Sequence, residues 1–202
     1  MRIDGDAALW AGPSEADSLL LLLHGRGADE RDLLPVAERL GVPDRIVALR
    51  GPVPSQGGRA WAEATPTPDG DSAVAPAGDA VLDWLDRLPG TAPKRIRVLG
   101  FSQGCAVALQ LLRSAPDRFE RVVMLSGFVA EVGGPADAAL AARRPPVFWG
   151  RGTIDPVIPA AAIARTRTWL QAHTTLTARE YPMLGHGVAE AELADVAAFL
   201  AS

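Results

Sequence analysis

Arg95-Ile96-Arg97-Val98-Leu99-Gly100-Phe101-Ser102-Gln103-Gly104-Cys105-Ala106-Val107-Ala108-Leu109 is the stretch on which the fold turns. Its first five residues read as a strand and its last five as the start of a helix, so Gly100 to Gly104 stand where one becomes the other. A serine presented as a nucleophile at such a junction is held in a strained backbone conformation. Side chains two residues to either side of it would collide, and glycine occupies both places. The plainer use of Ser102 is to cap the helix, a role that calls for neither glycine.

On either side of this stretch, short apolar runs alternate with longer helical patterns. Strands are expected over 19–23, 45–50, 96–101, 122–126, 147–149 and 175–181, and helices near 30–40, 77–88, 103–114, 160–172 and 189–200. A mostly parallel sheet with crossover helices requires this alternation. Val81, Leu82, Trp84, Leu85 and Leu88 recur at spacings of three and four, which marks one buried helical face, and Trp84 and Trp169 read as packing on such faces. The one long irregular stretch, 51–77, carries Pro52, Pro54, Pro66, Pro68 and Pro76, and also Trp61. Loops of this length in compact domains are often functional. The stretch 128–145 is too short for a folded lid, so an open site is expected.

A serine hydroxyl requires a base, and the base an orienting acid, in the chain order serine, acid, histidine on a sheet of this kind. His173 and His186 follow Ser102. His173 lies near the end of a helical pattern, where an imidazole interacts with the helix terminus. His186, in Leu184-Gly185-His186-Gly187, occupies a turn between a strand and the final helix, and is the expected base. For the acid, Asp155 in Gly152-Thr153-Ile154-Asp155-Pro156 follows the 147–149 strand, whereas Asp137 lies in a loop before it. Asp155 could also be no more than a turn aspartate bonding its own backbone. An oxyanion needs two N–H donors. Gln103, next after the serine, offers one, and Arg26, between Gly25 and Gly27 after the leucine strand, offers the other through its backbone. His24 reads as a support of that loop.

Composition narrows the partners. A length of 202 residues fits one domain, 1–202, and 48% hydrophobic with 22% charged residues excludes global disorder. Twenty basic against 24 acidic side chains give a net charge of −4, with no footprint for nucleic acid. The apolar run 19–23 is far short of the roughly 20 residues that span a bilayer. Cys105 is the single cysteine, so neither an internal disulfide nor a Cys-rich zinc site is available. With no apolar segment near the N-terminus, a cytoplasmic protein is expected. Gly25-Arg26-Gly27 has the start of a dinucleotide fingerprint, but Glu30 stands where the third glycine belongs and would repel a pyrophosphate.

Together, the segments 23–30, 100–104, 125–127 (Leu125-Ser126-Gly127), 152–159 and 185–187 resemble the phospholipase/carboxylesterase family, the acyl-protein-thioesterase-like branch of the α/β-hydrolases. The resemblance runs from about residue 18 to 200. It implies an α/β-hydrolase fold, a mostly parallel central sheet with helices on both faces and no lid domain. It further implies a serine esterase with Ser102, Asp155 and His186 as triad, the N–H groups of Arg26 and Gln103 as oxyanion hole, and neither metal nor organic cofactor. Many members have histidine-glycine ahead of the acid loop, where Arg151-Gly152 stands here. The expected substrates are small-molecule carboxylic esters or thioesters of short to medium acyl chains, sheltered by surface loops through Trp61, Val157 and Leu184. Cys105, inside the helix three residues past Ser102, reads as a buried thiol rather than a nucleophile. A protein of the same fold that binds a ligand or partner without turnover is the alternative, and the oligomeric state stays open, a homodimer included.

Overall fold

A computed structural model describes residues 1–55, 57–63, 74–130 and 136–202. Among them are strands β1 (Leu9–Ala11), β2 (Ser18–Leu23), β3 (Arg45–Leu49), β4 (Val53–Ser55), β5 (Gly58–Ala60), β6 (Arg95–Phe101), β7 (Arg121–Leu125), β8 (Pro146–Gly152) and β9 (Thr175–Tyr181). The helices are α1 (Leu34–Leu40), α2 (Ala75–Asp86), α3 (Gln103–Ser114), α4 (Ala136–Arg143), α5 (Ala160–His173) and α6 (Glu190–Ala201).

Seven strands form one sheet in the order β1-β3-β2-β6-β7-β8-β9, and β4 pairs with β5 as a separate hairpin. All pairings in the large sheet are parallel except that of the edge strand β1 with β3. Leu21 of β2 faces Val47 on one side and Val98 on the other. The chain runs outward from β2 to β3 and then crosses back through α2 to β6 on the far side of β2. Such a reversal opens a crevice at the carboxyl ends of the central strands, where ligands of open α/β sheets bind.

Every residue of β2 is buried because helices cover both faces. Leu19, Leu21 and Leu23 pack with Val81 and Leu85 of α2, Val107 and Leu111 of α3, Leu140 of α4 and Leu170 of α5. Leu20 and Leu22 join Ala37 and Leu40 of α1 and Leu193, Val196 and Leu200 of α6 on the other face. Each such leucine contributes about 2 kcal/mol through burial. Among the described residues, no helix is long and apolar enough to cross a membrane.

The fold is the α/β-hydrolase fold anticipated, with several differences in detail. Helix α1 starts at Leu34 rather than near residue 30, because Pro35 suits a first turn and Glu30 is drawn aside to Arg50. The stretch 51–77 is partly ordered as the β4–β5 hairpin, while residue 56 and residues 64–73 of it lie outside the described residues. Asp137 belongs to α4 and not to a loop. Within 128–145, of which residues 131–135 lie outside the described residues, α4 is the described element, and no lid is inserted among the described residues.

Candidate active site

Ser102 sits between β6 and α3 with φ +52° and ψ −115°, a conformation that costs a non-glycine residue about 1–3 kcal/mol. Surrounding contacts hold it there. Its N–H donates to the Leu125 carbonyl at 3.0 Å, and its own carbonyl receives the Cys105 N–H at 3.0 Å. A Cβ on Gly100 would lie 2.6 Å from the Gly104 carbonyl, and one on Gly104 would be driven into the Leu23 carbonyl. The two glycines therefore allow α3 to start hard against β2 and β6.

Asp155 and His186 arrive at the same edge of the sheet from the ends of β8 and β9. The Nδ1–H of His186 donates to Asp155 Oδ2 at 2.7 Å. Asp155 Oδ1 receives the N–H groups of Val157 at 2.8 Å and Ile158 at 3.3 Å. The aspartate thus makes its turn bond with one oxygen and receives the imidazole N–H with the other, so the turn bond does not preclude the contact with His186. Its side chain is 2% exposed against 17% for His186, which shields the pair while leaving the ring reachable. Nδ1 being the donor, Nε2 is left as the acceptor. Phe101 packs 5.0 Å from the ring between centroids. The two loops are also tied together: Ile154 N–H donates to Leu184 O at 3.1 Å, and Gly152 lies so close to that carbonyl that a side chain would overlap it.

The loop after β2 is fixed by a buried histidine. His24 Nε2 receives the Gly51 N–H at 2.9 Å, so Nδ1 carries the proton and donates to Gly25 O at 2.7 Å. Burial lowers the pKa of His24 and favours this neutral form. Gly27 N–H donates to Arg59 O and Arg59 N–H to Ala28 O, both at 2.8 Å, which fastens the β4–β5 hairpin to the loop. No described group accepts the main-chain N–H of Arg26, and its side chain turns outward to Glu63 O at 2.6 Å. Glu30 is buried and bonded to Arg50 at 2.5 and 2.7 Å, and the guanidinium holds its carboxyl down at about 2.

A profile of the phospholipase/carboxylesterase family matches residues 78–202. The chain belongs to the phospholipase/carboxylesterase family. Ser102, Asp155 and His186 fall inside the matched stretch, and the Arg26 loop precedes it. Acyl-protein thioesterase 1 of Saccharomyces cerevisiae (strain ATCC 204508 / S288c) is 30% identical over 115 residues, 55% of this chain and 51% of that protein. The probable carboxylesterase Os04g0669500 of Oryza sativa subsp. japonica is 30% identical over 132 residues, 63% of this chain and 49% of the relative. The chain spans about half the length of these curated relatives. Among solved structures, esterase PE8 superposes with a TM-score of 0.79 at 26% identity, covering 100% of this chain and 99% of that one. The Bacillus cereus carboxylesterase does so at 0.78 with 22% identity, over 95% and 92% of the two chains.

The phospholipase/carboxylesterase fold distributes the remaining expected residues unevenly. Trp61 is not a wall at the surface. Its ring is fully buried, its indole N–H donates to His24 O at 2.8 Å, and its main-chain N–H donates to Gln103 Oε1 at 2.9 Å. The Gln103 side chain also donates to Ala62 O at 3.0 Å, so this pair of polar bonds draws the tryptophan inward. Val157 is 52% exposed and Leu184 half-buried beside the Asp155–His186 pair. Exposed Ile154 and Met183 flank them; the sequence reading gave neither a role, although Ile154 lies within one quoted segment and Met183 adjoins another.

The rejected alternatives are engaged elsewhere in this phospholipase/carboxylesterase chain. His173 stacks on Trp169 and its Nδ1–H donates to Trp169 O at 2.6 Å, while Asp137 is bonded to Arg113 and to the Trp169 indole. Cys105 is fully buried, donates to Gly100 O at 3.0 Å, and has its thiol pKa pushed up by burial. Arg151 supports the acid loop in its own way, donating to Gly152 O at 3.0 Å and pairing with Glu180 at 2.8 Å. Clefts of about 740, 380 and 430 Å³ open at the opposite, amino-terminal edge of the strands, around Trp10, Arg45 and Lys94, and none is lined by Ser102, Asp155 or His186.

Proposed function

We propose that residues 1–202 form one serine carboxylesterase domain, cytoplasmic, that hydrolyses small-molecule carboxylic esters, thioesters included, of short to medium acyl chains through an acyl-enzyme. Ser102 Oγ attacks the carbonyl carbon as His186 Nε2 takes its proton, and Asp155 Oδ2 holds the imidazole in the required tautomer and stabilises the imidazolium. The oxyanion is received by the N–H groups of Arg26 and Gln103. His186 returns the proton to the leaving alkoxide or thiolate, then activates the water that releases the acid. Val157 and Leu184 shelter the acyl chain.

The observation that carries this reading is the 2.7 Å bond from His186 Nδ1–H to Asp155, made at the same sheet edge at which Ser102 is held at positive φ. A binding protein without turnover has no use for a strained serine, a buried acid and an oriented imidazole together. A fluorophosphonate probe separates the readings: single labelling on the Ser102 peptide, with label and ester hydrolysis both lost in Ser102→Ala, is the expected result. Undiminished hydrolysis of an activated aryl ester by Ser102→Ala would overturn it.

A further inference from the structure

Behind the His186 loop lies a carboxyl group that the chemistry above does not use. Glu192 stands in the first turn of α6 and is fully buried. Its Oε2 receives the Ala189 N–H across a long 3.4 Å, and Oε1 has no hydrogen-bond partner among the described residues. This is one half of a capping box, since alanine has no oxygen to return the bond. The carboxyl rests against β8 at Gly150, where a Cβ would overlap Oε1 and lie 3.0 Å from Cδ.

The same place anchors the histidine loop from its other end. Gly150 O receives the Ser126 N–H at 2.8 Å, and Ser126 Oγ donates to Gly187 O at 3.1 Å. The segment leading from His186 into α6 is therefore pinned at Gly187 by Ser126 and at Ala189 by Glu192, and both pins bear on Gly150. The ionisable groups around Glu192 are Cys105 of α3, Tyr181 of β9 and Asp195 of α6. Tyr181 donates to Asp195 at 2.8 Å, and Arg179 lies 3.9 Å from that same aspartate. No cation among the described residues is within ion-pair distance of Glu192. An ionised carboxylate here would have one long hydrogen bond, no counter-ion and a neighbouring aspartate, so burial costs it more than it costs the neutral acid.

We propose that Glu192 is a positioning residue: as a neutral acid it fastens Ala189 and thereby the loop that carries His186, and its ionisation frees that loop and lowers turnover on the alkaline side. The turnover half of this rests on the Ser102–His186 chemistry proposed above; the hold on the loop does not. Burial, reinforced by the charge of Asp195, pushes the Glu192 carboxyl up to about 7, close to neutral pH. Loss of the proton to solvent leaves a buried charge that the one long bond from Ala189 N–H only partly offsets, and opening of the first turn of α6 admits the water that hydrates it.

The test compares wild type with Glu192→Gln, which keeps the shape of the neutral acid and cannot ionise. Amide hydrogen exchange is followed over the 186–191 peptide at matched pH, so that intrinsic rates cancel. Because burial raises the carboxyl from 4.5 to about 7, the difference develops between those pH values and is complete above 7: near-equal protection is expected near pH 4.5, and exchange at least roughly ten-fold faster in wild type near pH 8.5. With p-nitrophenyl butyrate, kcat of wild type should fall roughly ten-fold from its maximum by about pH 9 at constant KM, a size typical of a displaced catalytic group, while Glu192→Gln shows no alkaline fall. Equal exchange at both pH values overturns the proposal. Altered exchange with superimposable kcat profiles overturns the positioning role and leaves Glu192 a structural acid. Hydrolysis that survives Ser102→Ala defeats the proposed function instead, and the exchange comparison still decides whether Glu192 holds the loop.

Discussion

The indole N–H of Trp61 donates to the main-chain carbonyl of His24 at 2.8 Å, while the Trp61 main-chain N–H is held by the side chain of Gln103. One buried residue thus bridges the two loops proposed to receive the oxyanion, one before α1 and one at the start of α3. Its distance from solvent implies that substitutions at Trp61 act on the alignment of those loops and not on the size of the acyl pocket.

Trp61→Phe should therefore lower kcat/KM by a common factor, roughly ten-fold, across p-nitrophenyl esters from acetate to octanoate, with the loss of one buried hydrogen bond costing about 1–3 kcal/mol in unfolding. A reshaped chain-length profile in this variant would place the indole against the acyl chain.

Asp155→Asn keeps an oxygen for the N–H groups of Val157 and Ile158 but offers the imidazole the wrong tautomer. Its melting temperature should stay near that of wild type while kcat drops roughly 10⁴-fold. His173→Ala, which removes a ring stacked on Trp169 at the end of α5, should leave kcat close to wild type; a large loss there would transfer the base role away from His186.

Val157 is exposed at the rim, and the bond that fixes its loop is made by its backbone. Val157→Ser should keep the fluorophosphonate reaction and lose several-fold in kcat/KM for butyrate relative to acetate, in line with about 0.8 kcal/mol per methylene removed from contact. Equal effects on both esters would exclude Val157 from the acyl site.

The Glu30–Arg50 pair sets a pH dependence of stability. Because the folded pKa of Glu30 is depressed from 4.5 to about 2, its contribution is complete above 4.5 and is lost as the pH falls through that interval. Linkage gives an upper bound of about 3 kcal/mol, and the partly exposed Arg50 reduces it. His24, with a lowered pKa, adds a loss in the same direction as the pH falls below 6.5. Urea melts of wild type and Glu30→Gln from neutral to acid pH should converge at low pH; parallel curves would remove the pair from the account.

The parts of the fold that were legible in the sequence are those whose environment is uniform along the chain. Strand β2, covered on both faces, is an unbroken leucine run, and α3 begins at Gln103 and ends at Ser114 as its spacing indicates. The elbow was legible because its two glycines answer a local steric demand. Strand β1 and the hairpin escaped notice because three residues carry no periodicity, and the partner of β1, strand β3, lies far along the chain. Trp61 looked like a loop residue for the same reason: its burial is decided by Gln103 and His24, about 40 residues away in either direction. Glu192 has the appearance of an ordinary first-turn acid until Gly150 is brought against it.

Cys105 lies under Ser102, with its thiol bonded to the Gly100 carbonyl and Gly127 pressed against it so closely that no side chain could stand there. As the chain's single thiol, it makes the protein its own stopwatch. An aromatic disulfide reagent reaches it when the cover over the thiol opens; the Cys105 thiolate then displaces one coloured aromatic thiolate and keeps the other half of the reagent as a mixed disulfide, so each molecule reports opening beneath the elbow once. A substitution that disturbs catalysis while leaving this clock unchanged has altered chemistry, and one that speeds it has loosened the frame on which the nucleophile is mounted.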